Sequence, residues 1–306
     1  MTAVIEVEGL RKEYRRLRGG PTVAVDGLDL SVPEGGVFGF LGPNGSGKTT
    51  TIRCLLGLVR PSAAGALRVL GADARRDLHR VIARVGSIVE TPTFFANFSG
   101  RRNLALLARL DGRGRSDVDS ALERVGLGER AGDAVRTYSL GMRQRLGVAA
   151  ALLKDPAVLI LDEPANGLDP SGIREIRELL RRLGAEGRTV FVSSHILSEI
   201  QHTCDRVAIL NHGRCVAAGA VSDVLAAGRA ASLVVRVGDL AAGAAALRAA
   251  GFPVDQLPDH LRVALPATEA ARVSETLGRA GQWVTELRPD EVSLEDVFLR
   301  LTGEQP

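Results

Sequence analysis

Val37-Phe38-Gly39-Phe40-Leu41-Gly42-Pro43-Asn44-Gly45-Ser46-Gly47-Lys48-Thr49-Thr50 is a short apolar run that passes without a break into a glycine-rich loop, a lysine and two threonines. The run Val37–Leu41 suits a strand buried on both faces. Glycines at 42, 45 and 47 leave backbone N–H groups free to converge on phosphate oxygens, because no Cβ blocks the approach. A helix predicted over Lys48–Leu58, closed by Gly57 and Pro61, sets its positive N-terminal end behind the loop. Gly42, Pro43, Asn44, Gly45, Ser46, Gly47, Lys48, Thr49 and Thr50 are therefore expected to cradle the phosphates of a nucleotide. Lys48 would reach the β- and γ-phosphates, and the Thr49 hydroxyl would ligate Mg²⁺.

Composition supports that reading. Lysine occurs only at 12, 48 and 154, and every other basic residue is arginine. A chain with so strong a preference for arginine keeps a compact ammonium where a phosphate cradle needs one. Hydrophobic residues make up 45% and charged residues 25% of the 306, which predicts a packed core and excludes global disorder. A net charge of +3 gives no broad basic footprint, so no nucleic-acid partner is expected. The local cluster Arg11, Lys12, Arg15, Arg16 and Arg18 reads as a solvated loop of a hairpin. Cys54, Cys204 and Cys215 have neither metal-ligand spacing nor an even count, and read as small apolar residues. No apolar stretch approaches the length of a membrane helix, and the N-terminus carries no signal-peptide pattern.

Outward from the loop, strands are predicted at Val4–Val7 and Val23–Val32 as an N-terminal hairpin, and at Leu67–Leu70 and Gly86–Val89, with a helix around Ala74–Arg84 between the last two. Residues 91–151 read as an all-helical insertion, with helices at Leu104–Leu110, Val118–Val125 and Ser139–Leu153. Alternation then resumes: strands at Ala157–Leu161, Thr189–Ser193 and Arg206–Asn211, and helices at Ser171–Leu183 and Leu197–Thr203. That order predicts an α/β fold with parallel strands and crossover helices. After residue 226 the character changes, and 227–306 are assigned to a small separate α/β domain of three strands and two helices. Trp283 is expected in its core.

A second run, Val158-Leu159-Ile160-Leu161-Asp162-Glu163, is a buried strand ending in two carboxylates, at the end of a parallel strand where ligands bind. Asp162 would hold the Mg²⁺ shell, and Glu163 would polarise the attacking water as general base.

Together with Tyr138-Ser139-Leu140-Gly141-Met142-Arg143-Gln144-Arg145, Pro164 with Asn166-Gly167-Leu168-Asp169-Pro170, and Ser193-Ser194-His195, these motifs resemble, in order, those of ATP-binding cassette (ABC) ATPases over about residues 3–220. The resemblance implies a P-loop NTPase cassette over 1–226, with an N-terminal antiparallel β subdomain and the helical insertion. It implies that Ser139 and Gly141 of the signature motif, with Asp169 of the D-loop, contact the nucleotide, that His195 acts at the γ-phosphate, and that Tyr14 stacks on adenine. Two departures stand out: Leu140 and Met142 replace the usual Gly and Gln of the signature, and Glu90 stands at the Q-loop position. Glu90 is expected beside Mg²⁺ and the lytic water. With Pro92, Phe94 and Phe95 after it, it resembles the branch exporting bacitracin, lantibiotics and drugs.

The resemblance further implies a head-to-tail homodimer sandwiching ATP, and a membrane permease on a separate chain that the dimer powers. The chain would then be cytoplasmic, held on the inner face of the cell membrane through that permease. The alternative of another class is a soluble ABC-type ATPase acting on ribosomes or DNA; a single cassette without heptads argues against it. A catalytically idle regulator is disfavoured by the presence of both Asp162 and Glu163.

Overall fold

The computed structural model describes residues 3–15, 20–90, 92–227, 232–290 and 293–302. Arg16 and Arg18 of the basic loop, and residue 91 of the expected insertion, lie outside the described residues. Two compact units divide the chain, the first running to Val221 and the second beginning at Ser222.

In the first unit β1 (Ala3–Tyr14) and β2 (Thr22–Pro33) form an antiparallel hairpin, and β3 (Gly36–Leu41) runs into α1 (Lys48–Leu55). β4 (Leu67–Val69) and β5 (Ala72–Asp73) complete an antiparallel sheet of order β2-β1-β4-β5. β6 (Val85–Ile88) precedes three helices, α2 (Gly100–Leu110), α3 (Arg115–Arg124) and α4 (Leu140–Leu152). Then follow β7 (Val158–Asp162), α5 (Pro170–Ala185), β8 (Thr189–Ser194), α6 (Leu197–Thr203), β9 (Arg206–Asn211) and β10 (Arg214–Ala220), and α7 (Val221–Ala227) begins in this unit at Val221 and continues into the second. The second sheet has the order β10-β9-β3-β8-β7-β6, parallel throughout except for β10.

The central strands are apolar on both faces, as a sheet covered on both sides requires. Phe38 stacks on Phe191 with ring centroids 5.9 Å apart, and Phe40 meets the same ring at 5.1 Å. Burying each such ring contributes about 2 kcal/mol or more. Gly39 lets α6 lie directly on β3, because a Cβ there would stand 2.5 Å from Ile200 Cγ2 and 3.0 Å from Cys204 Sγ. Cys54 and Cys204 are buried and Cys215 is half-buried.

The expected helix at Ala74–Arg84 is replaced by two 3₁₀ turns, Leu78–Arg80 and Ile82–Arg84. Tertiary anchoring overrides the helical pattern there. The Arg75 guanidinium is drawn to the Asp73 carboxylate and donates to the Ala64 and Gly65 carbonyls. Burial and hydrogen bonding act oppositely on Asp73; the Arg75 hydrogen bond dominates and lowers its pKa to about 2. The sequence reading also missed β5 and β10.

The second unit contains β11 (Leu233–Val237), α8 (Leu240–Ala249), β12 (Val254–Gln256), β13 (Leu261–Val263), α9 (Ala270–Arg279) and β14 (Val284–Pro289). Its antiparallel sheet, order β12-β13-β11-β14, makes a ferredoxin-like βαββαβ arrangement with one strand more than expected. Leu233, Val235, Leu247, Leu261, Val273 and Leu277 form its core. Trp283 is not in that core: it is 77% exposed. α10 (Leu294–Thr302) closes the described chain. Among the described residues no helix is long and apolar enough to cross a membrane.

Candidate active site

The parallel register lines up three strand ends. Leu41 of β3 pairs with Ser194 of β8, and Ser193 of β8 pairs with Asp162 of β7. The loop after β3, the acidic pair after β7 and the histidine after β8 therefore emerge side by side at the carboxyl edge, where α/β sheets bind ligands.

In the loop, Gly47 caps α1 at φ 104°, and a Cβ at this position would stand 2.5 Å from the Ala24 carbonyl of β2. Only glycine makes that turn without strain. Lys48 is 5% exposed; its ammonium donates to the carbonyls of Gly42 at 2.6 Å and Pro43 at 3.2 Å, and lies 3.3 Å from Glu163 Oε1. Ser46 Oγ is buried without a hydrogen-bond partner among the described residues, while Pro43, Asn44 and Gly45 are exposed and Thr49 and Thr50 half-buried.

Glu163 turns the chain sharply out of β7 at φ 50°, a left-handed conformation that costs a non-glycine residue about 1 kcal/mol. Its N–H donates to Ser193 Oγ at 3.0 Å, and the same hydroxyl donates to Asp162 Oδ1 at 2.5 Å. One serine thus holds both acids. Glu163 Oε2 meets His195 Nδ1 at 2.5 Å. Lys48, Asp162, Glu163 and His195 are brought together, joined by Ser193, to which the sequence reading gave no separate role. The Ser-Ser-His motif names that serine, but only the strand pairing shows what its hydroxyl reaches.

The other expected residues lie apart from this cluster. Glu90, just after β6 and also left-handed at φ 71°, is 67% exposed, and its carboxylate is paired with Arg53 of α1. Tyr14 ends β1 opposite Thr22, two residues before the Ala24 that backs the loop; Lys12 Nζ lies 4.9 Å from its ring centroid. Ser139 caps α4 by accepting from the Met142 N–H at 3.2 Å, and Asp169 caps α5 by accepting from Gly172 N–H at 3.1 Å. Beyond the backbone of its own helix, Gly141 has nothing among the described residues closer than 3.9 Å to where a Cβ would lie.

Among the described residues no group of three or more His, Cys, Asp or Glu could hold a metal by itself. The hard oxygens of Thr49 and Asp162 suit Mg²⁺, which takes one or two protein ligands and completes its shell with water and phosphate.

Comparisons with known proteins bear on the family to which the chain belongs. A family profile described as ABC transporter matches residues 25–166. The chain is 39% identical to the bacitracin transport ATP-binding protein of Enterococcus faecalis, over 99% of this chain and 97% of that one. It is 38% identical to a daunorubicin resistance ATP-binding protein of Streptomyces coeruleorubidus, over 98% and 96%. Among solved structures, cbiO1 from Clostridium perfringens, described as part of the ABC transporter complex cbiONQ, superposes with a TM-score of 0.65. It is 28% identical, over 74% of this chain and 92% of that one. A glycine-rich loop between a strand and a helix, an acidic pair at the end of β7 and relatives matching from end to end lead to one conclusion: this chain belongs to the ABC transporter family, as an ATP-binding subunit that hydrolyses ATP.

Proposed function

We propose that the chain powers the export of a peptide antibiotic, drug or similar amphipathic molecule through a membrane permease on a separate polypeptide. The names of its relatives supply the substrate class. The convergence of Lys48 and His195 on the two oxygens of Glu163 supports the chemistry.

Gly42–Thr50 hold the triphosphate, with Lys48 on the β/γ-phosphates. Thr49 and Asp162 would hold Mg²⁺, with Glu90 a further candidate ligand, and the metal would supply screening of phosphate charge. Glu163 takes the proton of the attacking water, and His195, fixed through Nδ1, turns its other ring nitrogen to the γ-phosphate. Tyr14 stacks on adenine.

Hydrolysis requires a second copy set head to tail, whose Ser139, Gly141 and Asp169 complete the site. Gly141 supports this reading. Gly141 is the second residue of α4, and among the described residues nothing crowds the position. A bare backbone there suits close approach from outside. ATP favours the closed pair and product release favours the open one, a population shift that the permease reads. Residues 1–226 form the cassette and 227–306 an accessory domain. The chain sits on the inner face of the cell membrane through its permease.

The test is purification of the tagged chain from solubilised membranes of its own cells. A multispan membrane protein should copurify in stoichiometric amount. Ribosomes or DNA in its place would replace the transport reading with a soluble one.

A further inference from the structure

Glu199 lies one turn beyond the histidine, in the first turn of α6. Its Oε2 accepts a hydrogen bond from Ser194 Oγ at 3.2 Å, while Oε1 is buried with no hydrogen-bond partner among the described residues. It lines a cavity of about 30 Å³ whose wall includes Glu163 and His195, with Arg177 from α5. Burial pushes the Glu199 carboxyl upward. The Ser194 hydrogen bond and His195 oppose that shift, and the Glu163 charge adds to it. A half-satisfied, half-buried carboxylate costs stability, and the packing of α6 does not need it. Ile200 and Cys204 seat the helix on Gly39, and Asp205 accepts from the Val37 N–H at 2.8 Å.

Ser194 is the last residue of β8, so His195 projects from a turn with no ladder bonds of its own. Two features hold that turn. The Ser194 carbonyl accepts from the Gly42 N–H at 3.4 Å, tying it to the phosphate loop. The Ser194 hydroxyl accepts from the Ile196 N–H at 3.0 Å and donates to Glu199 Oε2 at 3.2 Å, a closer acceptor than the Ile196 carbonyl at 3.5 Å. A hydroxyl has one proton to give, so its direction decides whether the Ile196 N–H finds a lone pair. Glu199 sets that direction.

We propose that Glu199 is a positioning residue for the switch histidine: through the Ser194 hydroxyl it holds the Ser194–Ile196 turn so that His195 Nδ1 meets the Glu163 carboxylate. This rests on the reading of Glu163 and His195 as catalytic groups. It has the logic of the third member of a triad, which orients a catalytic imidazole without touching substrate.

Steady-state ATPase kinetics on the purified chain test it. Glu199→Ala should lower kcat about tenfold, the scale of lost outer-shell support, and leave the KM for ATP within twofold because the phosphate loop is untouched. Glu199→Gln keeps an acceptor oxygen for Ser194 and should recover most of that loss. Ser194→Ala should match Glu199→Ala, and the double variant should be no slower than the slower single, as for two members of one network. A kcat within twofold of wild type for Glu199→Ala overturns the proposal. So does a Glu199→Gln as slow as the alanine variant, or losses that multiply in the double variant. If Glu199→Ala does not fold, the glutamine and Ser194 variants decide. Glu163→Gln is run alongside: normal turnover there overturns the reading of the site itself, whereas a dead Glu163→Gln with a normal Glu199→Ala overturns only the role of Glu199.

Discussion

The ammonium of Lys48 and the carboxylate of Glu163 stand 3.3 Å apart, in a pair that is 5% and 19% exposed. The two residues come from different strand ends, 115 positions apart in the chain. Lysine offers three protons; here two are directed to the Gly42 and Pro43 carbonyls and the third toward Glu163. The group expected to bind the γ-phosphate and the group expected to activate water are thus already within one solvent-poor contact.

Lys48→Ala should reduce ATPase activity by at least about a hundredfold, the scale on which a single preorganised donor to developing charge counts. Nucleotide affinity should fall with it. Titration with a fluorescent ATP analogue and a phosphate-release assay check both, and wild-type turnover would remove the phosphate assignment.

Glu163→Gln removes the base and keeps the shape of the side chain. Binding of ATP should persist while hydrolysis slows by about 10²–10⁴, the usual contribution of a general base. The closed pair should then accumulate with ATP, seen as a doubling of mass in light scattering. If the rate is unchanged, the base lies elsewhere, with His195 and Glu90 next in line.

Gly141→Asp separates folding from pairing. Gly141 is the second residue of α4, where an acidic side chain complements the helix dipole, and 3.9 Å of clearance accommodates its Cβ. The melting temperature should therefore hold or rise slightly. ATPase activity should collapse, because a carboxylate then faces the partner's phosphate. An active Gly141→Asp would place the signature helix away from nucleotide.

Glu90 carries the sharpest tension between sequence and geometry, being exposed and paired with Arg53. The ion pair itself is worth less than about 1 kcal/mol at such exposure, so neither Glu90→Gln nor Glu90→Ala should alter stability much. If Glu90 reaches Mg²⁺ or the lytic water during turnover, Gln should change the ATPase rate modestly and Ala should lower it by roughly ten- to a hundredfold. Rates within twofold of wild type for both variants would leave Glu90 as the partner of Arg53 alone.

The sequence by itself determined the phosphate loop, the acidic strand end and the alternation that makes a parallel sheet. Each is written in a contiguous window: an apolar run, glycines where a Cβ would collide, a helix start. Residues such as Gly47 and Lys48 are legible because the conformation they need is local. Only the tertiary structure decided what stands beside what. Ser193 holds both Asp162 and Glu163 because β8 pairs in register with β7, and Glu199 reaches Ser194 because Gly39 lets α6 rest on β3. The same dependence explains the misreadings. Ala74–Arg84 has a helical pattern, but Arg75 is bound to the carbonyls eleven and ten residues before it. Trp283 is apolar enough for a core that Leu233, Leu261 and Leu277 already fill. Local preference is a matter of fractions of a kcal/mol per residue, whereas strand order and close packing act across distances in the chain that no sequence window spans.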